Sequence, residues 1–132
     1  QPVNWSTDQG WYVDFPDAGE RVNLDPQLNL GTLLVAANVV NPDISNACSV
    51  GGYSYLYQFN YKTGTHLDNA TNQAVAKKNN NALLVGNVVV RLPSGVMKVI
   101  TTSATGSKAV DALTVSGSAA SGTRISWREL PM

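Results

Sequence analysis

The chain has little charge and no long hydrophobic run. Only 14% of its 132 residues are charged, and nine basic residues balance nine acidic ones. A net charge of zero leaves no electrostatic footprint for nucleic acid or for an anionic lipid surface. No apolar run approaches the ~20 residues that a membrane-spanning helix needs. The composition therefore argues against a nucleic-acid partner and against membrane insertion.

Cysteine and histidine each occur once. Cys48 has no partner in the chain, so it is either a small buried apolar residue or the mate of a cysteine elsewhere. His66 lies in a polar stretch, where neither a histidine-based metal site nor a Ser-His-Asp relay can be assembled around it. The N-terminus lacks the charged and apolar pattern of a signal peptide, so we expect an interior or mature piece of a protein.

The residues that are present favour β structure. Short apolar runs are separated by Gly, Asn, Pro and Ser, and no stretch keeps a helical period over three turns. The pattern predicts an all-β chain with eight strands, near residues 11–15, 20–24, 31–39, 52–60, 82–92, 96–103, 109–116 and 123–130. Eight such strands suit either a small antiparallel β-sandwich or two four-stranded blades of a β-propeller.

Two of the predicted strands are apolar on both alternations. Residues 33–37 and the runs 83–85 and 88–90 are therefore expected to be covered on both faces and to form the core. Residues 96–102 alternate, which is typical of a half-exposed strand nearer an edge. The Leu-Pro-Ser-Gly sequence at 92–95 predicts a hairpin turn, and residues 69–81 are predicted to form a solvated loop.

One segment carries a specific resemblance. Residues 10–22, GWYVDFPDAGERV, resemble the GWYxDL…GERV signature of the PilC/PilY family of type IV pilus tip adhesins. The similarity continues in the family's order through the apolar strand at 32–39, the Pro-Asp, Cys and Gly-Gly positions at 42–52, the YSYLY run at 53–57 and the Lys-Thr-Gly turn at 62–64. Residues 124–130, RISWREL, are similar to the family's terminal RxSWRxL.

The resemblance implies an architecture and a function. It implies the last two blades, or about two, of a modified propeller related to those of quinoproteins. It also implies a non-enzymatic pilus biogenesis factor and adhesin outside the cell, which antagonises retraction, docks near minor pilins and attaches to surfaces or host cells. The structural residues of the motif would be Trp11, Asp14, Glu20, Arg21, Trp127 and Arg128, with both tryptophans largely buried.

Members of the family often have a calcium loop of spaced aspartates after the Thr-Gly turn. Here residues 65–72 supply a single carboxylate, Asp68. Calcium takes about 6 to 8 oxygen ligands, several of them anionic. We therefore predict no bound calcium and no other cofactor.

The carboxylates Asp14, Asp17, Glu20 and Asp25 form the densest acidic cluster. A glycosidase needs an acid and a base at a fixed separation, but these residues are more simply explained as turn caps around Pro16 and as an ion pair between Glu20 and Arg21. We predict that the protein is not an enzyme.

Tyr53, Tyr55 and Tyr57 recur at the strand period of two and therefore share a face. They form either a packed ladder or an exposed stripe, and they are the candidate binding residues. Two other functions stay open: a carbohydrate-binding β-sandwich that uses these tyrosines, and a quinoprotein-type oxidoreductase. The second of these lacks a visible calcium-ligand set and an adjacent cysteine pair.

Overall fold

The computed structural model describes residues 2–41, 51–67, 74–79 and 82–115, and within these ranges the chain is all-β without a helix. The predictions made for Cys48, Trp127, Arg128 and the strand at 123–130 lie outside these residues. The described ranges contain eight strands: β1 (Glu20–Val22), β2 (Gln27–Asn29), β3 (Thr32–Val40), β4 (Gly52–Asn60), β5 (Ala76–Asn79), β6 (Leu84–Arg91), β7 (Met97–Ser103) and β8 (Lys108–Ala112).

The larger sheet is built around β3 and β4. Its order is β1-β3-β4-β5, with β2 also paired to β3, and every pairing is antiparallel. β3 and β4 pair over their whole length, from Thr32 opposite Asn60 to Val40 opposite Gly52. The apolar run predicted for residues 33–37 is covered on both faces, as expected, since all but the first are buried in the middle of this sheet.

The smaller sheet has the antiparallel order β6-β7-β8. β6 and β7 form the predicted hairpin: Gly95 N donates to Leu92 O at 2.8 Å, and Leu92 N donates to Val96 O at 2.8 Å. Gly95 takes a positive φ of 85°, which a residue without a Cβ adopts at little cost. A register shift between Leu84 and Gly86 marks a bulge at the start of β6.

The two faces of the larger sheet bury different clusters. One cluster contains side chains from both sheets: Leu34, Ala36, Leu56, Leu84, Met97, Val99 and Leu113. The other lies on the opposite face, where Val35, Ala37, Tyr57 and Phe59 are buried and the half-buried Trp11 and Phe15 pack against them. The segment that precedes β1 thus covers one face of the sheet, and the smaller sheet contributes to the cover of the other.

Three predictions about the strands are wrong. Residues 11–15 are not a strand, because Trp11 and Phe15 lie across a sheet face instead of pairing along an edge. Residues 76–79, within the predicted loop, form β5, which pairs with β4. β7 is the middle strand of its sheet, although it does show the predicted alternation of burial.

The prediction that residues 83–85 and 88–90 are covered on both faces is also wrong. Val89 packs against the shared cluster, but Val85 and Val88 are 53% and 58% exposed. Successive residues of a strand point to opposite faces, and one face of the smaller sheet carries no cover from the described residues. In the part of the chain that the structure describes, no helix is long and apolar enough to cross a membrane.

Candidate binding surface

An aromatic row runs along one face of β4. Tyr53, Tyr55, Tyr57 and Phe59 alternate with smaller or polar residues, so their rings follow one another on the same side of the sheet. Successive ring centroids are 5.9, 5.7 and 5.5 Å apart, and the last pair is stacked at 11°. Tyr57 and Phe59 are buried, whereas Tyr53 and Tyr55 are half-buried. The row is therefore a packed ladder at one end and a partly accessible surface at the other.

Two carboxylates from the segment around β1 accept hydrogen bonds from the tyrosine hydroxyls. Tyr53 and Tyr55 both donate to Oδ2 of Asp17, each at 2.8 Å. Tyr57 donates to Oε1 of Glu20 at 2.6 Å. Hydrogen bonds to an ionised acceptor are shorter and stronger than neutral ones. These three bonds tie the segment before β3 to the aromatic row of β4.

The hydrogen bonds shift the ionisation of the groups that share them. The Tyr55 and Tyr53 hydroxyls lower the pKa of Asp17, because they stabilise its ionised form. The same bonds raise the pKa of both tyrosines, because the phenol must keep its proton to donate. Burial, and then the bond to Glu20, raise the pKa of Tyr57. The neutral tyrosines and the charged Asp17 therefore stabilise one another.

The carboxylates have a different role from the predicted one. Asp17 accepts hydrogen bonds from tyrosine hydroxyls instead of from backbone amides. Asp14 is exposed. Glu20 does not pair with Arg21, since neighbouring residues of β1 point to opposite faces of the sheet. Oε2 of Glu20 is buried and has no hydrogen-bond partner among the described residues. What this arrangement does chemically is to hold two segments together.

Trp11 anchors the start of the same segment. Its Nε1 donates to Tyr61 O at 2.9 Å, and its ring centroid lies 5.6 Å from that of Phe59. The indole also lies directly over Gly64, whose positive φ of 67° places it in the turn after β4. Trp11 is partly buried, and its contacts with Phe59 and Gly64 are packing contacts.

Lys78 lies at the accessible end of the tyrosine row. Its Nζ is 3.9 Å from the ring centroid of Tyr53 and 5.4 Å from that of Tyr55. A cation over an aromatic face is attracted by the ring quadrupole. Lys78 therefore occupies ring surface that a sugar would need for stacking.

Sequence reasoning missed a cleft between the two sheets. On the side where β5 and β8 form the sheet edges, Lys77 and Asp111 make an ion pair. Three adjoining cavities lie along this side, with volumes of about 170, 190 and 290 Å³. Residues 77 and 111 are far apart in the sequence and β5 was taken for loop, so no sequence pattern could have indicated the cleft.

No group of three or more His, Cys, Asp or Glu side chains that could hold a metal ion is found within the described ranges. Residues 65–72, for which the sequence predicts no bound calcium, lie mostly outside these ranges. The chain matches no known family model, no curated protein and no solved structure.

Proposed function

We propose that the chain is the C-terminal part of a type IV pilus tip adhesin of the PilC/PilY kind and that its work is binding. In this proposal it supports pilus assembly by antagonising retraction, docks near minor pilins at the pilus tip and helps to attach the cell to a surface or host. It performs no catalysis.

One observation carries the proposal: the separate segments that resemble the family pack on one another. Trp11 of the GWYVDFPDAGERV segment lies over Gly64 of the Lys-Thr-Gly turn. Asp17 and Glu20 of the same segment accept hydrogen bonds from the tyrosine hydroxyls of the YSYLY run. Residues that contact one another across 30 residues or more of sequence make a unit of structure, and a chance similarity of short motifs would have no reason to coincide with such a unit.

The proposed architecture is about two blades of a propeller. Blades of a propeller and layers of a sandwich both bury one sheet face against another, so the shared cluster is compatible with both. The blade interpretation is favoured by the exposed Val88 and Val110 on the outer face of the smaller sheet. A neighbouring blade would cover such a face, whereas the outer faces of a sandwich are normally polar.

A carbohydrate-binding function of Tyr53, Tyr55 and Tyr57 is the second candidate. Its support is the half-exposure of the first two rings. It ranks behind the first because the hydroxyls of Tyr53 and Tyr55 already donate hydrogen bonds to Asp17, and because Lys78 lies over the ring of Tyr53.

The test is genetic and uses the whole protein. In the bacterium that encodes the chain, the codons for its 132 residues are deleted and surface pili are counted by electron microscopy. We expect loss of surface pili, with pili restored when the retraction ATPase is also removed. Normal pili in the single deletion, or no restoration in the double deletion, would contradict the proposal.

A further inference from the structure

Among the described strands, β8 has a partner on one side only. Within the described residues it lies at the end of the order β6-β7-β8. Ser103 N donates to Ser107 O at 2.9 Å, and Leu113 N donates to Met97 O at 3.1 Å, just before and just after β8. In an antiparallel pair, directly bonded positions alternate with positions whose backbone groups point away. The odd-numbered residues from 107 to 113 are therefore the ones that bond to β7.

The even-numbered residues of β8 consequently direct their backbone groups toward the open side. These are Lys108, Val110 and Ala112. The assignment agrees with a separate observation, since Gln58 Nε2 reaches across from β4 and donates to Ala112 O at 3.3 Å. Lys108 and Val110 have no partner for these backbone groups among the described residues. Such an edge is a template for another strand.

The space beside this edge is suited to side chains. The three cavities follow one another along the edges of β5 and β8. Their walls include the buried Leu56, Leu67 and Leu84. A strand paired with β8 would direct every second side chain toward these cavities. Apolar side chains beside these leucines would replace water against apolar surface, which is favourable.

The charge beside the edge is positive. Among the described residues, Lys77 of β5 and Lys108 of β8 are the basic side chains beside the cleft, and Asp111 is the one acidic residue that lines these cavities. The Nζ of Lys78 lies over the ring of Tyr53, on the opposite face of the larger sheet. Asp111 is already paired with Lys77. Lys108 is therefore the cation beside the edge that has no ion-pair partner among the described residues, and it favours an acidic ligand.

We propose that the edge of β8 that the described residues leave open binds an extended acidic segment of another protein, which adds a strand to the smaller sheet. Backbone hydrogen bonds to Lys108 and Val110 supply a sequence-independent contribution to affinity, as in other cases of strand addition. Side chains on one face of the added strand are apolar and enter the cavities. Those on the other face are acidic and lie beside Lys108. The inference does not depend on the pilus proposal.

The test uses the isotope-labelled full chain and a short capped peptide in which valine alternates with aspartate. We expect amide shifts in the nuclear magnetic resonance spectrum that are concentrated at Lys108–Ala112, and slower hydrogen exchange at Lys108 and Val110. Binding should weaken as salt is added. Lys108→Gln should weaken it about threefold to fivefold, as expected for one cross-strand charge pair.

Three controls separate this site from general attraction. Lys62→Gln changes a lysine in the turn beside Tyr61, and it should leave affinity unchanged. A peptide in which lysine replaces aspartate, and one with a central proline that cannot donate to the edge, should both fail to bind. Equal binding by either peptide, shifts centred away from β8, or no binding because the chain's own residues or a second copy hold the edge would overturn the proposal.

Discussion

Asp17 joins the segment before β1 to β4 through a single carboxylate oxygen, and its lowered pKa makes this link sensitive to acid. A group whose pKa is lower in the folded than in the unfolded chain stabilises the fold above its unfolded pKa, and the contribution is lost as pH falls through the folded pKa. We predict that Asp17→Asn lowers the melting temperature at neutral pH and removes part of its decline below about pH 4.

Thermal melting of both proteins between about pH 3 and pH 7 checks this prediction. Asp14→Asn is the matched control, because Asp14 is exposed and lies in the same segment. We expect Asp14→Asn to follow the wild-type curve. An acid decline in Asp17→Asn as steep as in the wild type would contradict the role given to this carboxylate.

Gly64 is the residue on which the indole of Trp11 rests. A methyl group at this position would lie 2.5 Å from Cγ and Cδ2 of Trp11, and the backbone has a positive φ of 67°. The left-handed conformation costs a residue with a Cβ about 1–2 kcal/mol, and displacing the indole adds to this. We predict that Gly64→Ala lowers the free energy of unfolding by about 2–4 kcal/mol in urea titrations.

Gly95 is the control, because it also has a positive φ but lies against no side chain. Its φ is 85°, and a methyl group there would meet no atom within 4 Å. Gly95→Ala should therefore cost only the conformational part, about 1–2 kcal/mol. Equal losses in the two variants would mean that Trp11 does not rest on Gly64 in solution.

At the level of strands, a buried amide on β3 links the larger sheet to the start of β6. Asn38 of β3 is 4% exposed. Its Nδ2 donates to Leu84 O and its Oδ1 accepts from Leu84 N, both at 2.8 Å. Asn38→Ala would leave both backbone groups at the start of β6 without these partners. Because each buried unpaired group costs about 1–3 kcal/mol, we predict a loss of about 2–4 kcal/mol in the free energy of unfolding.

Asn87 of β6 is the control for this prediction. Its Oδ1 accepts one bond from Gln27 Nε2 at 3.1 Å, while its Nδ2 is buried and unpartnered among the described residues. Asn87→Ala removes one bond and one unsatisfied group together, so we expect a loss of about 1 kcal/mol or less in chemical denaturation. If the two variants unfold at the same denaturant concentration, Asn38 does not link the sheets as described.

How far the sequence predicts these strands depends on what stabilises each of them. β3 and β4 carry their own signal. β3 is an apolar run on both alternations, and the aromatic residues of β4 repeat at the strand period. The bounds predicted for β4 are those observed. β5 carries none. Its sequence AKKN pairs with β4 because Lys78 reaches the ring of Tyr53 and Lys77 reaches Asp111, and both partners are distant in the sequence.

The candidate surface shows the same division. The period of two predicts that Tyr53, Tyr55 and Tyr57 share a face, and they do. The sequence also shows Asp17 and Glu20 as part of an acidic cluster, but it does not show their role. A carboxylate that caps a turn and one that accepts a hydrogen bond from a tyrosine hydroxyl look alike in sequence. The choice between them is made by the path of the segment across the sheet, which is a tertiary property.

At the scale of the whole molecule, the outer face of the smaller sheet carries an exposed apolar row. Val88, Ile100 and Val110 stand directly opposite one another on β6, β7 and β8. Val88 and Val110 are 58% and 63% exposed. Apolar residues grouped on a surface mark a site of association. In the proposed adhesin this face would be covered by the rest of the propeller, and in the isolated chain it is available for self-association.

We therefore predict that Val88→Thr with Val110→Thr reduces self-association of the isolated chain and leaves its stability nearly unchanged. Threonine keeps the β-branched shape that strands favour while it makes the row polar, and side chains this exposed contribute little to the core. Light scattering over a range of concentrations measures association, and thermal melting measures stability. Val99→Thr is the control, because Val99 is fully buried and a hydroxyl placed there without a partner should cost about 1–3 kcal/mol. Undiminished association of the double variant would assign the contact to another surface, such as the edge of β8 that the described residues leave open. Melting as early as that of Val99→Thr would show that the row is packed within the chain.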